Sequence, residues 1–208
     1  MRILFVLTTA AGLWAQQHPD HLEHHFDPAS SAKQFDDPAR DTWQMPHRVI
    51  ESLDLKPGAI VADIGSGTGY FSVKLAHHAA KVYGSDLEPG MVQYLRDRAS
   101  KEGLTNVIAV QASPESPNLP EPVDLILIVD TYHHIGNREA YFRALQKSLK
   151  PGGRVAIIDF KADSPEGPPK EFRFSRKQFE SEMSKAGYKL AASHDFLPRQ
   201  QFLIFAMK

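Results

Sequence analysis

Cysteine is absent from the 208 residues. That excludes disulfides, thiolate metal sites, cysteine nucleophiles and lipid attachment to cysteine. An excess of one charge is also missing, since 24 Lys and Arg face 25 Asp and Glu, a formal net charge of -1. No broad basic face is therefore expected, and nucleic acid is not an expected partner. Long apolar runs are missing too. The longest, Ile3 to Leu13, falls short of the about 20 residues that span a bilayer, so no transmembrane span is expected in the mature chain. Internal repeats and long linkers are not found. What is present is 42% hydrophobic, 24% charged and 10% aromatic residues. That composition excludes collagen-like, disordered and coiled-coil classes. At about 150 residues per domain, the length argues for one domain with a sizeable core.

Met1-Arg2, the apolar stretch Ile3–Leu13 and the small Ala15 have the order of a secretory signal cleaved after Ala15. Leu13 is larger than the residue usually found at that place. Export to a periplasmic or extracellular compartment is the expectation for residues 1–15, and a cytoplasmic chain with a buried N-terminal element is the alternative. Zero cysteine permits an oxidising compartment without requiring one. Residues 16–42 form a polar, His- and Asp-rich segment. His18, His21 and His25 share a helical face, with His24 beside them. Neutral imidazoles bind zinc, copper or nickel, but a specific site needs rigid supporting partners, so this cluster reads as solvated and no metal is expected.

From Trp43 onward, apolar spacing and turn residues predict an alternating order. A helix-like stretch over about 41–54 stops at Pro57-Gly58. Strands follow at 59–64, 81–85, 106–110, 123–129, 154–160, 188–193 and 201–206. Helices are expected at 70–80, 89–102, 138–149 and 175–186. Near-continuous apolar strands such as VDLILIV over 123–129 are those of a sheet covered on both faces. Alternation with helices implies an α/β fold with a mostly parallel sheet.

The run Asp63-Ile64-Gly65-Ser66-Gly67-Thr68-Gly69-Tyr70 leaves a buried strand and enters a helix. Glycines there permit unusual dihedrals and close approach of a ligand, outside the carboxyl ends of the strands. Asp86 ends the next strand, where an acid can accept both hydroxyls of a ribose. Two cofactor classes compete. A dinucleotide site wants a small residue where Tyr70 stands, and it usually lacks an acid where Asp63 stands. An acid at Asp63 suits the ammonium of an amino-acid moiety. Both departures favour S-adenosyl-L-methionine over a nicotinamide, whose oxidoreductase is the alternative; a non-catalytic cofactor-binding module is a further one.

These motifs, over about residues 43–208, resemble the class I S-adenosylmethionine-dependent methyltransferases. The first motif matches Asp63 through Gly69, and the ribose acid matches Asp86, followed by Leu87, Glu88 and Met91 beside the adenosine. The fourth-strand motif matches Asp124–Leu127 and runs into Asp130-Thr131-Tyr132-His133-His134-Ile135. A late signature matches Leu149–Arg154. The resemblance implies a three-layer αβα sandwich around a seven-stranded, mostly parallel sheet whose last strand is antiparallel. It implies a cofactor site of Asp63, Gly65, Ser66, Gly67, Gly69, Asp86, Leu87, Met91, Ser113 and Asp130. Many members carry Gly-Asp after the third strand, where this chain has Ala112-Ser113, so Ser113 or a backbone group would meet the adenine.

The resemblance also implies the chemistry: methyl transfer to an O, N or S atom of an acceptor, expected to be a small molecule. Asp130, Tyr132, His133 and His134 follow the fourth strand and are the catalytic candidates. Either histidine is suited to take a proton near neutral pH, and Asp130 suits orientation of substrate or cofactor. Asp159 is a weaker candidate for the same cleft. Trp43, Tyr132, Phe172 and Phe202 are candidates to line the acceptor pocket, each with core packing as its other reading. Phe26-Asp27 and Phe35–Pro38 with Arg40 suggest a lid over the cofactor mouth, its carboxylates pairing with Arg40 or Arg48.

Overall fold

A computed structural model describes residues 28–208. The leader and the histidine cluster lie outside the described residues. Three short helices open the chain: α1 (Pro28–Phe35), α2 (Arg40–Gln44) and α3 (Pro46–Ser52). Strands and helices then alternate as β1 (Ile60–Ile64), α4 (Tyr70–Leu75), β2 (Lys81–Asp86), α5 (Pro89–Lys101), β3 (Val107–Gln111), β4 (Val123–Val129), α6 (Arg138–Leu145), β5 (Leu149–Phe160), α7 (Arg176–Lys185), β6 (Tyr188–His194) and β7 (Gln200–Met207). The seven strands form one sheet in the order β3-β2-β1-β4-β5-β7-β6. β1 to β5 run parallel, and β7 is antiparallel to both of its neighbours.

The sheet is buried from both sides, and alternation along β4 shows how. Leu125, Leu127 and Val129 meet Val49, Ile50, Leu53, Phe71 and Leu95 on one face. Ile126 and Ile128 meet Phe142, Leu145, Phe179 and Met183 on the other. That two-sided burial explains why the strand reads as an unbroken apolar run. Among the described residues, no helix is long and apolar enough to cross a membrane.

Three local expectations are corrected. The stretch 41–54 is two helices, because Met45 takes a left-handed conformation (φ 44°) and Pro46 starts the next helix. α4 stops at Leu75 rather than continuing to Ala80. β5 begins at Leu149, five residues before Arg154, with Pro151-Gly152-Gly153 inside it; the strand is irregular there, since its register against β4 shifts between Val123 and Leu125.

Candidate active site

Strand order reverses between β1 and β4, the place where open parallel sheets hold ligands. A cavity of about 1240 Å³ opens there, at the carboxyl ends of β1, β2 and β4. Single-ligand pockets run to roughly 300–1,000 Å³, so the volume suits a cofactor together with an acceptor.

The glycine turn forms its inner wall. Gly65, Gly67 and Gly69 have φ of 70°, 52° and 84°, the left-handed region that glycine adopts without strain. A Cβ on Gly65 would lie 2.2 Å from Thr131 Oγ1, so this turn packs directly against the segment after β4. Gly65 N–H and Ser66 N–H donate to Ser85 O at 2.8 and 3.2 Å, tying the turn to β2. Asp86, at the end of β2, accepts from Gly67 N–H at 2.7 Å and from Glu88 N–H at 2.9 Å. Burial raises its carboxyl above the usual value. Asp63 is 3% exposed and accepts from Ser72 Oγ at 2.7 Å. Burial pushes its carboxyl up to about 6, so a ligand cation would restore ionisation.

These residues fit a nucleoside bearing an amino-acid tail. Ser66 Oγ is buried in the turn without a hydrogen-bond partner, a polar atom that a ligand can satisfy. Leu87, Met91, Ala112 and Ser113 line the same cavity. Leu87 is 45% exposed, unusual for a large apolar residue, as a face for a ring would be.

The N-terminal helices close the cavity from above. Gln34, Phe35, Arg40 and Trp43 line it, and Phe35 packs 3.3 Å from where a Gly67 Cβ would sit. Asp36 accepts from Thr68 Oγ1 at 2.9 Å and from Arg98 at 2.8 Å. Asp41 accepts from Tyr70 Oη. The expected pairing of the lid carboxylates with Arg40 or Arg48 is therefore corrected for Asp36; Phe26-Asp27 lies outside the described residues. Arg40 instead lies over the Tyr70 ring at 4.1 Å and contacts Asp130 at 3.5 Å, while Arg48 covers Phe196 at 4.2 Å. Tyr70, the residue that argues against a dinucleotide, is thus an anchor for the lid.

Beyond β4 the chain brings the chemical groups together. Asp130 sits at φ 53° and contacts Arg40, Gln44 and Gln200. Gln44 Nε2 also donates to Gln200 Oε1 at 3.0 Å, both side chains being fully buried. Burial and nearby Asp159 raise the Asp130 carboxyl to about 6. His133 Nδ1 lies 3.0 Å from both carboxylate oxygens of Asp159. Asp159 is 1% exposed, and Phe160 N–H also donates to it at 2.7 Å. His133 lines the cavity, and with Nδ1 on the carboxylate its Nε2 is the nitrogen left for a ligand. His134 lines the cavity too, its ring 4.2 Å from that of His133.

Four candidates do not line this cavity: Gly69 and Asp159, which stand behind Gly67 and His133 in its wall, and Tyr132 and Phe202. Tyr132 is fully buried on the other side of the turn, among Phe142, Phe174 and Phe179. Its hydroxyl donates to Glu182 at 2.6 Å, so it is corrected to a packing residue. Phe202 is 1% exposed and belongs to the core under α3. Trp43 and Phe172 do line the cavity. Sequence reasoning missed Gln44 and Gln200, which meet across 156 positions with no local pattern. It also underweighted Asp159, whose position at the end of an apolar strand was the available signal.

Comparison with known proteins agrees with this geometry. The family described as a methyltransferase domain matches residues 61–153. Phosphoethanolamine N-methyltransferase 1 of Arabidopsis thaliana is 36% identical over 135 residues, 62% of this chain and 26% of that protein. A ubiquinone/menaquinone biosynthesis C-methyltransferase of Shewanella woodyi is 30% identical over 116 residues, 53% of this chain and 46% of that protein. The chain thus spans about a quarter to a half of the length of these relatives. A solved S-adenosylmethionine-dependent methyltransferase from Aquifex aeolicus superposes with a TM-score of 0.80 at 28% identity. It covers 88% of this chain and all of its own. The fold and the glycine turn are of the Rossmann-like, nucleotide-cofactor class. More narrowly, residues 61–153 match a methyltransferase domain, and the chain is similar to class I S-adenosylmethionine-dependent methyltransferases. The nicotinamide alternative finds no support among these matches.

Proposed function

We propose that the protein methylates a small-molecule acceptor, with His133, held by Asp159, as the base. The observation that carries this reading is that His133, paired with Asp159, lines the same cavity as Gly65–Thr68 of the glycine turn. S-adenosylmethionine supplies an activated methyl group on a sulfonium. In the same reading Asp86 accepts from the ribose hydroxyls, Asp63 faces the ammonium end and Ser113 borders the adenine. The acceptor's nucleophilic atom would take that methyl group, the electron pair of the broken carbon–sulfur bond staying on sulfur. The acceptor proton passes to His133 Nε2, and Asp159 stabilises the resulting imidazolium. The relatives' names include amine and carbon methylation, so carbon nucleophiles join O, N and S acceptors in the screen. The test is transfer of labelled methyl from S-adenosylmethionine to a metabolite panel. Turnover lost in His133→Ala supports the reading, and undiminished turnover in that variant contradicts the base assignment.

Export through residues 1–15 belongs to the same proposal, supported by the leader pattern alone. S-adenosylmethionine is a cytoplasmic product, so an exported enzyme would need cofactor delivered to it. Fractionation of tagged full-length protein decides: a shortened, exported form is expected, and an uncleaved cytosolic one refutes export.

A further inference from the structure

The acceptor end of the cavity, beyond the cofactor cradle, has a definite chemistry. Its walls are Trp43, Ile135, Tyr141, Phe160 and Phe172 with His133. Trp43 and Phe160 lie 6.0 Å apart at 38°, a tilted pair of rings from the lid and from β5. Cations are nearly missing. Arg40 is the single Lys or Arg among the described residues lining the cavity, against Asp63, Asp86, Glu88, Glu115, Asp130 and Glu166. Arg40 itself is engaged, donating to Phe35 O at 2.9 Å as well as meeting Gln44 and Asp130.

Three basic side chains next to this end are engaged as well. Arg199 pairs with Glu166 and covers the Trp43 ring at 5.0 Å. Arg173 donates to the carbonyls of Pro168 and Ser164, bracing the loop that forms the rim. Lys161 donates to Leu197 O at 2.8 Å. Residues 1–27 add one further cation in sequence, Arg2. A phosphate dianion entering here would lose water and meet carboxylates, and Arg40, the one Lys or Arg on the described cavity wall, is already engaged, an unfavourable exchange in a partly enclosed cleft. A flat ring meets matching rings instead.

Resting on the methyltransferase reading, we propose that the acceptor is an aromatic molecule without phosphate or carboxylate, held between Trp43 and Phe172 with its nucleophilic atom at His133. The site therefore differs in chemistry from one for phosphoethanolamine, the substrate in the names of its plant relatives.

The experiment has two stages on the full chain. Calorimetry with S-adenosylhomocysteine comes first; absence of binding defeats the methyltransferase reading, and this proposal with it. Ligand-observed NMR then probes the S-adenosylhomocysteine-loaded protein with phenol, catechol, tyramine, aniline and phosphoethanolamine. Binding of the aromatic probes without phosphoethanolamine is the expected result. Trp43→Ala and, separately, Phe172→Ala should each weaken aromatic binding by roughly tenfold, the size of a lost ring pair. Binding of phosphoethanolamine, or of none of the aromatic probes to protein loaded with S-adenosylhomocysteine, overturns the proposal while leaving the methyltransferase reading intact.

Discussion

Asp63→Asn separates what the buried acid does for the fold from what it does for the ligand. Asp63 is 3% exposed, and its carboxyl is raised from 3.8 to about 6 by burial, against the opposing bond from Ser72. Ionising it in the folded protein at neutral pH therefore costs about 3 kcal/mol, at about 1.4 kcal/mol per pH unit. Asn is close in shape and neutral, and its carbonyl can still accept from Ser72 Oγ. Removing the cost, less the desolvation of the new amide, should stabilise the ligand-free protein by about 1–3 kcal/mol. For a domain of this size that is a rise in Tm of about 2–12 °C. The pH dependence follows from the same shift. A carboxyl that binds its proton more tightly folded than unfolded contributes stability fully below about pH 4, and loses it as pH rises through about 6. The variant's advantage should thus be absent below about pH 4, grow between about pH 4 and 6, and stand at full size above about pH 6. Affinity for S-adenosylhomocysteine runs the other way, because Asn offers the ammonium no charge. Scanning calorimetry across pH, with titration of the ligand at neutral pH, gives both readings. A variant less stable than wild type at neutral pH, with unchanged ligand affinity, would refute the reasoning.

Asp86→Ala removes the ribose acceptor, and S-adenosylhomocysteine binding should weaken by about 1–3 kcal/mol, roughly five- to 150-fold by titration calorimetry. The same change leaves Gly67 N–H and Glu88 N–H without their present acceptor, so Tm should also fall. Asp159→Asn should lower kcat by about 100-fold or more, within the range for general acid–base catalysis, with a smaller change in KM. It should also shift the acidic limb of the pH–rate profile, where protonation removes the base, whereas a merely structural role would leave the profile's shape unchanged. Gly65→Ala places a methyl 2.2 Å from Thr131 Oγ1 at φ 70°; a loss of about 1–3 kcal/mol in chemical denaturation is expected.

Much of the sheet was legible in the sequence because burial on both faces leaves a continuous apolar signature. Val123–Val129 stands in the structure with the expected bounds. The antiparallel end of the sheet came with the family resemblance rather than from periodicity. Element ends were less legible where a backbone choice decided them, as at Met45 and Leu75. The site was legible in the glycine turn, since its residues are adjacent in the chain and each glycine answers to a positive φ. It was not legible at Tyr132 and His133. Adjacent residues in a tight turn face different ways, and only tertiary packing decides that the ring of Tyr132 turns to Phe142 while His133 meets Asp159. Pairings across long separations, such as Gln44 with Gln200 and Arg40 with Asp130, left no local trace either. They join the lid to the sheet, which explains why residues 28–42 read as a polar segment although they cover the cavity.

The most direct measurement is calorimetric titration of the full-length protein with S-adenosylhomocysteine, with NADH titrated in parallel. Saturable binding of S-adenosylhomocysteine alone, weakened in Asp86→Ala, is the expected result. Binding of NADH in its place would contradict the assignment of the cavity.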